Sequence, residues 1–189
     1  FPLVAALIVP GSSVTVTNVG INPSRDGLLR VLAMMGADIT QTNIRSVGGE
    51  TVADVTINAG VLTGIEVPPD VAPSMIDEFP ILFVAASLAE GKSVFRGLDE
   101  LRVKESDRIS VMAKGLSAIG VTVEELEDGL IVHGSGGAAL TGGATIAAEL
   151  DPNGDSYLLT SRDYFDARKA VDALRAAIAA ALLPDTDAL

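Results

Sequence analysis

The sequence predicts an α/β (α+β) fold built from two copies of an α-β-α-β-β unit. Three observations predict it. The stretches FPLVAALIVPGSSVTVTNVG and FPILFVAASLAEGKSVFRGL resemble each other, and they begin at Phe1 and Phe79, about 80 residues apart. The same order of helix and strand patterns follows each stretch. The chain has 189 residues, 48% of them hydrophobic and 20% charged, which suits a folded protein with a sizeable core.

Each copy opens with an Ala-rich apolar helix, which a glycine ends at Gly11 or Gly91. A β-branched strand follows, SVTVTNV in the first copy and SVF in the second. An amphipathic helix comes next and ends at Gly36 or Gly120. Its apolar stripe is formed in the two copies by Leu28, Leu29, Leu32 and Met35, and by Ile109, Met112, Leu116 and Ile119. Two short β patterns close each copy and predict hairpins, DITQTNI with TVADVTI and VTVEEL with GLIVHG.

These patterns predict one domain portion over residues 1–150, with copies at about 1–67 and 68–134 and then a glycine-rich loop. Residues 151–189 form a tail of unassigned character, in which the apolar spacing predicts an amphipathic helix over 161–183. The chain starts inside an apolar run and has no initiator Met. We therefore expect further residues before Phe1.

Composition excludes several classes of function. The net charge of −12 repels phosphate backbones, so nucleic acid is not an expected partner. The chain has no Cys, which fits a reducing compartment, and its single His makes a zinc site improbable. The opening apolar run covers only about ten residues, too few to span a bilayer, so no membrane segment is expected. A small anionic substrate stays possible, because a few local cations can bind it whatever the net charge.

The first candidate residue is Asp77, an acid at the entrance of the apolar helix in PSMIDEFPILFVAA. One interpretation is helix capping or stabilisation of the helix dipole. The other is a carboxylate partly desolvated by Ile76, Phe79 and Pro80, which would favour its protonated form and make it a usable general base.

The second candidate site is the charged stretch LRVKESDRIS, residues 101–110. A solvated helix entrance is the simplest interpretation of such a run. If a helix begins near here, Lys104 and Arg108 share one face and Glu105 projects beside it. Two cations at a helix N-terminus can hold a phosphate or carboxylate, and a neighbouring Glu can move a proton.

The third candidate is Arg25 in NVGINPSRDG, between a strand and a helix. It is either part of an ordinary turn with a Ser cap or a second anion-facing residue. Its place in the first copy is equivalent to that of the charged stretch in the second, and equivalent loops of a repeat usually lie on one face.

The motif ELRVKESDRIS, with PSMIDEFPILFVAASLAEG before it and LSAIGVTVEELEDGLIVHG after it, resembles the carboxy-terminal domain of the enolpyruvyl-shikimate-phosphate (EPSP) synthase family. The segments NPSRDGLLRVLAMMGADI and VPPDVAPSMIDEFPIL are similar to its class II branch, which includes glyphosate-insensitive members. The resemblance covers roughly residues 1–150. It implies domains built from βαβαββ units around a pseudo-threefold axis, and this chain would supply about two such units.

The resemblance also implies a reaction and roles for residues. The reaction is transfer of an enolpyruvyl group from phosphoenolpyruvate to shikimate 3-phosphate in the cytoplasm, with no metal or organic cofactor. Asp77 matches the proposed base and Glu105 the proposed acid. Lys104 and Arg108 match groups that bind phosphoenolpyruvate, and Arg25 aligns more weakly with a loop on the shikimate 3-phosphate side.

The chain departs from the family in two places. It has no counterpart of the family's amino-terminal domain, and after residue 150 it keeps Asp151 but not the His and Arg that follow in the family pattern. Two interpretations follow: a transferase domain that needs an amino-terminal domain or partner chain to act, or a non-catalytic fragment or binding module that retains the fold. A related transferase acting on a UDP-amino sugar is a distant third, because it lacks the charged motif and normally uses a Cys.

Overall fold

The structure is a computed structural model, and it describes residues 1–104, 106–138 and 140. From Leu3 onward these residues form one compact unit. The tail 151–189, its predicted helix 161–183 and the glycine-rich segment beyond residue 140 lie outside the described residues. The domain boundaries drawn from the sequence therefore stay predictions.

The first repeat contains two helices and a three-stranded sheet. Its elements are α1 (Pro2–Ile8), β1 (Ser13–Gly20), α2 (Gly27–Met34), β2 (Asp38–Val47) and β3 (Glu50–Asn58). The central strand β3 pairs antiparallel with both β1 and β2. The order in the sheet is thus β1-β3-β2.

The second repeat contains the same elements in the same order. They are α3 (Phe79–Leu88), β4 (Lys92–Phe95), α4 (Arg108–Ala118), β5 (Thr122–Leu126) and β6 (Gly129–His133). The sheet order β4-β6-β5 repeats that of the first sheet. The predicted fold class, with its two α-β-α-β-β units, is confirmed.

A further extended segment precedes the second repeat. Thr63 and Glu66 form parallel bridges with Glu90 and Val94, beside β4. Two parallel segments need a crossover connection, and α3 provides it. With this segment the second repeat has the order βαβαββ, in agreement with the fold that the resemblance implied.

Glycines end the second helix of each repeat as the sequence predicts. Gly36 has φ +91° and Gly120 has φ +89°, in the left-handed region that costs glycine little. The buried side of α2 differs slightly from the predicted apolar stripe. In α2 the fully buried residues include Val31 and Leu32, whereas Leu29 is only half-buried.

One hydrophobic core runs through both repeats. Leu7, Leu32 and Ile57 of the first repeat belong to the same buried cluster as the second repeat's residues. Three phenylalanines, Phe79, Phe83 and Phe95, form its aromatic part, with centroids of Phe83 and Phe95 4.9 Å apart in edge-to-face geometry.

Two short 3₁₀ helices, Pro69–Ser74 and Ile76–Glu78, lead into α3. The start of α2 packs tightly against them: a Cβ at Gly27 would lie 2.3 Å from the Ser74 Oγ. Arg30 also donates a hydrogen bond to Ser74 Oγ at 3.0 Å. This close approach fixes the first repeat against the segment that carries Asp77.

The first sheet has an irregularity on each edge strand, and one side chain spans both. The register shifts between Val16 and Val19 and again between Thr42 and Arg45. Asn18 (φ 58°) and Asn43 (φ 51°) take left-handed conformations there. Asp54 on β3 accepts hydrogen bonds from the Asn18 backbone N–H at 3.1 Å and from the Asn43 side chain at 2.9 Å.

Candidate functional site

The candidate site lies around the connection between β4 and α4, residues 96–107. Leu101 is fully buried and anchors a 3₁₀ helix over Asp99–Arg102 within this connection. Leu98 donates its backbone N–H to the Asp128 carbonyl at 2.8 Å, which ties the connection to the tip of the β5–β6 hairpin. The charged stretch therefore begins on a well-anchored piece of chain.

Helix α4 begins at Arg108 because Asp107 caps it. The Asp107 side chain accepts a hydrogen bond from the Ser110 backbone N–H at 3.0 Å, which satisfies one of the unpaired donors of the first helical turn. Lys104 thus precedes the helix, and the expected shared helical face of Lys104 and Arg108 is wrong. The sequence signal for this later start is Asp107 itself, a favoured N-cap residue just before the apolar spacing that begins at Ile109.

Arg108 and Asp77 form an ion pair that joins two distant parts of the chain. Arg108 Nη1 lies 3.0 Å from Asp77 Oδ1. The Arg108 side chain is 20% exposed and the Asp77 side chain 66% exposed. The guanidinium is therefore held mostly within the protein, and the carboxylate stands at the surface.

Lys104 is the third charged residue near the Arg108–Asp77 pair. Its ammonium pairs with Glu100, and this hydrogen bond raises the pKa of Lys104 above its ordinary value. Partial burial and the charge of Arg108 oppose that rise, while the charge of Asp77 supports it. Lys104 is consequently cationic at neutral pH and lies within electrostatic reach of both other residues. We call Asp77, Lys104 and Arg108 the charged cluster.

The structure corrects one expectation about Asp77. The expected desolvation by Ile76, Phe79 and Pro80 is not observed, because the carboxylate is two-thirds exposed. Phe79 turns into the core instead, where it is 1% exposed. Asp77 sits on the short 3₁₀ helix before α3, and that turn directs its carboxylate outward to Arg108.

The other two predicted residues are not part of the described cluster. Glu105 lies outside the described residues, and its predicted role as an acid stays a prediction. Arg25 is exposed, and within the described part of the chain it forms no hydrogen bond or ion pair with Asp77, Lys104 or Arg108. Its connection, residues 21–26, is organised by Asn22, whose Oδ1 accepts hydrogen bonds from the Ser24 N–H and hydroxyl.

Sequence reasoning did not assign Arg102, which makes four hydrogen bonds within the charged stretch and the β5–β6 hairpin. Its guanidinium pairs with Asp107 at 2.7 Å and Glu125 at 3.0 Å. It also donates to the backbone carbonyls of Leu126 and Glu127. No local signal in LRVKESDR separates this arginine from Arg108, because three of its four acceptors lie on a hairpin more than twenty residues away.

Chemically, the cluster is suited to holding a small anion. Because the Asp77 carboxylate is two-thirds exposed, water can solvate it when an incoming phosphate or carboxylate replaces it on Arg108. Arginine offers a bidentate fork to such a group and lysine a mobile point charge. Within the described residues, no three His, Cys, Asp or Glu side chains come together as a metal site. Among the described helices, none has the length and apolar character needed to traverse a bilayer.

The fold and cluster together define an α+β repeat domain that presents a cationic site at the start of one helix. The sequence profile of the family described as "EPSP synthase (3-phosphoshikimate 1-carboxyvinyltransferase)" matches residues 1–151. This chain belongs to the EPSP synthase family.

Individual relatives agree with this assignment. A 3-phosphoshikimate 1-carboxyvinyltransferase from Sphingopyxis alaskensis is 65% identical over 151 residues, covering 80% of this chain and 34% of the relative. One from Phenylobacterium zucineum is 61% identical over 143 residues, covering 76% and 32%. The solved EPSP synthase from Acinetobacter baumannii aligns with a TM-score of 0.69 at 50% identity, covering 71% of this chain and 30% of that one. The chain thus spans about a third of the length of the relatives it matches.

Proposed function

We propose that this chain forms the phosphoenolpyruvate-binding side of an EPSP synthase active site. The reaction transfers the enolpyruvyl group of phosphoenolpyruvate to a hydroxyl of shikimate 3-phosphate and releases inorganic phosphate. Membership of the family supports the reaction class. The observation that carries the proposal is the charged cluster, in which the Arg108–Asp77 pair at 3.0 Å joins the α3 and α4 entrances beside Lys104.

Two cations of the cluster bind the substrate in this proposal. Phosphoenolpyruvate carries a phosphate and a carboxylate, and Lys104 and Arg108 offer one mobile and one bidentate donor set. Arg108 also stands at the N-terminus of α4, where the helix dipole adds partial positive charge. These groups hold the phosphate and stabilise its negative charge as it leaves.

Two carboxylates move the protons. Asp77, once Arg108 turns to the substrate, accepts the proton of the attacking hydroxyl. Glu105 donates a proton to the methylene carbon of phosphoenolpyruvate as the hydroxyl oxygen bonds to the neighbouring carbon. It then takes a proton back from the resulting methyl group as phosphate leaves, which restores the carbon–carbon double bond. Proton addition to carbon and proton removal from oxygen have to occur at separate positions, and so the reaction needs two carboxylates in different environments.

The remainder of the active site comes from elsewhere in this proposal. The chain covers about a third of its relatives' length, and the resemblance assigns most ligands of shikimate 3-phosphate to an amino-terminal domain. We propose that such a domain or a partner chain closes over the cluster, excludes water and completes the anion clamp. Arg25, exposed on the equivalent connection of the first repeat, contributes to the shikimate 3-phosphate side. The reaction takes place in the cytoplasm.

The test is calorimetric titration of phosphoenolpyruvate, with and without shikimate 3-phosphate, into the 189-residue chain. The Lys104→Ala/Arg108→Ala variant should bind at least about tenfold more weakly, because each charge-assisted hydrogen bond contributes about 1.5–3 kcal/mol. The Lys92→Ala/Arg96→Ala variant is the matched control: it removes the same charge from the same repeat, at two exposed residues outside the cluster. Equal weakening in both double variants, or no binding by the unmodified chain, contradicts the proposal.

A second function, an anion-binding module without turnover, is favoured by Asp77, whose carboxylate is two-thirds exposed and paired with Arg108 rather than desolvated as a general base would be. A phosphate-release assay separates the two. We expect no release from the chain alone and measurable release when the amino-terminal part of the Sphingopyxis alaskensis relative is added as a separate chain. Binding without release under both conditions would favour the module.

A further inference from the structure

Arg102 has contacts that set it apart from the two cations assigned to the substrate. Its Nη1 donates to Asp107 at 2.7 Å and to Glu125 at 3.0 Å. Its Nε and Nη2 donate to the carbonyls of Glu127 and Leu126. All four acceptors lie on the β5–β6 hairpin or at the cap of α4, and the side chain is 23% exposed.

These contacts link the residues on the two sides of Lys104. Asp107 accepts from Arg102 through Oδ2 and from the Ser110 N–H through Oδ1. One carboxylate therefore joins Arg102 to the first turn of α4. Lys104 stands between Arg102 and Asp107 in the chain, and Arg108 follows Asp107 directly. The Arg102–Asp107 pair thus flanks Lys104 on both sides and ends one residue before Arg108.

Arg102 is poorly suited to bind the anion itself. Two carboxylates, Asp107 and Glu125, already contact its guanidinium, and an approaching phosphate would meet both of them. Four of its hydrogen bonds are made within the protein, out of the five N–H donors of an arginine. The carboxylate partners of Lys104 and Arg108 are, in contrast, more exposed: Glu100 is 60% and Asp77 66% exposed, against 39% for Asp107 and for Glu125.

We infer that Arg102 is a positioning residue for phosphoenolpyruvate recognition, which fixes Lys104 and the start of α4 so that Lys104 and Arg108 face the same anion. This inference rests on the proposed function, because it assumes that the charged cluster binds phosphoenolpyruvate. A segment held in place before binding loses less conformational freedom when the ligand arrives. Release of the segment should therefore weaken binding without removing any group that touches the ligand.

The test compares Arg102→Gln, Arg102→Lys and Asp107→Asn with Arg45→Gln. Arg45 is the matched control, since it also bonds a carboxylate and a backbone carbonyl, and it lies in the first repeat with a side chain 30% exposed. Hydrogen exchange of peptides covering 98–107, without ligand, measures how strongly the backbone amides of this segment are protected. Calorimetry with phosphoenolpyruvate measures affinity at a temperature where circular dichroism shows each variant folded.

Arg102→Gln should accelerate exchange in 98–107 and weaken phosphoenolpyruvate binding about tenfold, the effect of ordering one or two long side chains on binding. Arg102→Lys should recover little, because lysine keeps the charge but not the fork that reaches four acceptors. Asp107→Asn retains a good cap and should give a smaller change in the same direction, which provides a second test if Arg102→Gln does not fold. Arg45→Gln should lower the melting temperature and leave both other readouts unchanged.

Three outcomes would overturn the inference. Unchanged exchange and affinity in Arg102→Gln, or a lower melting temperature with unchanged affinity, reduces Arg102 to a general structural residue. Full recovery in Arg102→Lys assigns the effect to charge rather than position. If the unmodified chain does not bind phosphoenolpyruvate, the proposed function fails, and faster exchange in Arg102→Gln then still shows whether Arg102 holds the segment.

Discussion

The two repeats have the same strand order, β1-β3-β2 and β4-β6-β5, but they differ in the connection between the first strand and the second helix. In the first repeat residues 21–26 form a short turn around Asn22. In the second repeat residues 96–107 form a longer connection with its own 3₁₀ helix and the Arg102 network. The shared elements build one core, and the difference in the connection creates the candidate site. The shared core and the candidate site thus lie in separate parts of the repeat.

The largest difference between the repeats in the cost of a mutation is expected at the last residue of their first strands, β1 and β4. Phe95 ends β4 and is fully buried, whereas Gly20 ends β1 and is exposed. Phe95→Ala should lower the free energy of unfolding by about 3–5 kcal/mol, because it leaves a cavity in the aromatic cluster. Gly20→Ala should be nearly neutral, since nothing lies within 4 Å of the added Cβ. Urea unfolding measures both, and a similar cost for the two changes would contradict a single core centred on the second repeat's aromatics.

The first residue of the third strand provides the next comparison. A Cβ at Gly129 would lie 1.9 Å from the Phe95 carbonyl oxygen, which belongs to the backbone and cannot turn aside. Gly129→Ala should destabilise the chain by about 1–3 kcal/mol or more through overpacking. Glu50, the first residue of β3, already carries a side chain, and Glu50→Ala should change stability by less than about 0.5 kcal/mol. An unchanged melting temperature for Gly129→Ala would mean that the backbones of β4 and β6 are farther apart at this point than the structure shows.

Loss of the residue before the second helix should also cost the two repeats different amounts of unfolding free energy, but the difference should be smaller. Asp107 caps α4 through its side chain, whereas Asp26 at the start of α2 makes no such bond and instead pairs with Arg30. Asp107→Ala should lower the free energy of unfolding by about 1 kcal/mol. Asp26→Ala should lower it by less than about 0.5 kcal/mol, the usual contribution of an exposed i,i+4 pair. Equal costs in denaturant unfolding would contradict the difference in capping.

The smallest effect concerns the pH dependence of the first sheet. Hydrogen bonds from Asn43, then from the Asn18 N–H and from Arg45, lower the pKa of Asp54 from its ordinary value of 3.8. A carboxylate with a lowered pKa stabilises the fold above the ordinary value, and that contribution disappears as the pH falls through the lowered one. Asp54→Asn should therefore melt at a lower temperature than the unmodified chain at neutral pH. The two melting curves should converge in acid.

Asp128 is the counterpart in the second repeat. Hydrogen bonding from the Gly97 N–H is the main cause that lowers its pKa, and Arg96 contributes less. Asp128→Asn should show the same convergence in acid. A constant gap between either variant and the unmodified chain from neutral to acid pH would assign the effect to lost packing rather than to charge.

The element order was predictable because its signals are local. Glycine stops at Gly36 and Gly120 and the β-branched runs between them mark helices and strands without reference to the rest of the chain. The parallel segment at Thr63–Glu66 was missed, because two isolated bridges leave no periodic pattern. The bulges at Asn18 and Asn43 were also missed, since they depend on Asp54 from a neighbouring strand.

The residues of the candidate site were predictable from the sequence, but their geometry was not. Asp77, Lys104 and Arg108 do come together, yet Asp77 is exposed and Lys104 precedes the helix. Burial depends on where the neighbouring Phe79 packs, which is a tertiary property. The role of Arg102 depends on Glu125 and on hairpin carbonyls, and spacing within the charged stretch cannot report such distant partners.

The central claim is that the second repeat's connection, and not the first's, binds phosphoenolpyruvate. The most direct measurement is a titration of the isotopically labelled chain with phosphoenolpyruvate, followed in ¹H–¹⁵N spectra. We predict that the largest shifts fall on residues 76–78 and 102–110, with little change over 21–27 and in the first sheet. Shifts centred on 21–27, or a spectrum that phosphoenolpyruvate leaves unchanged, would contradict the claim.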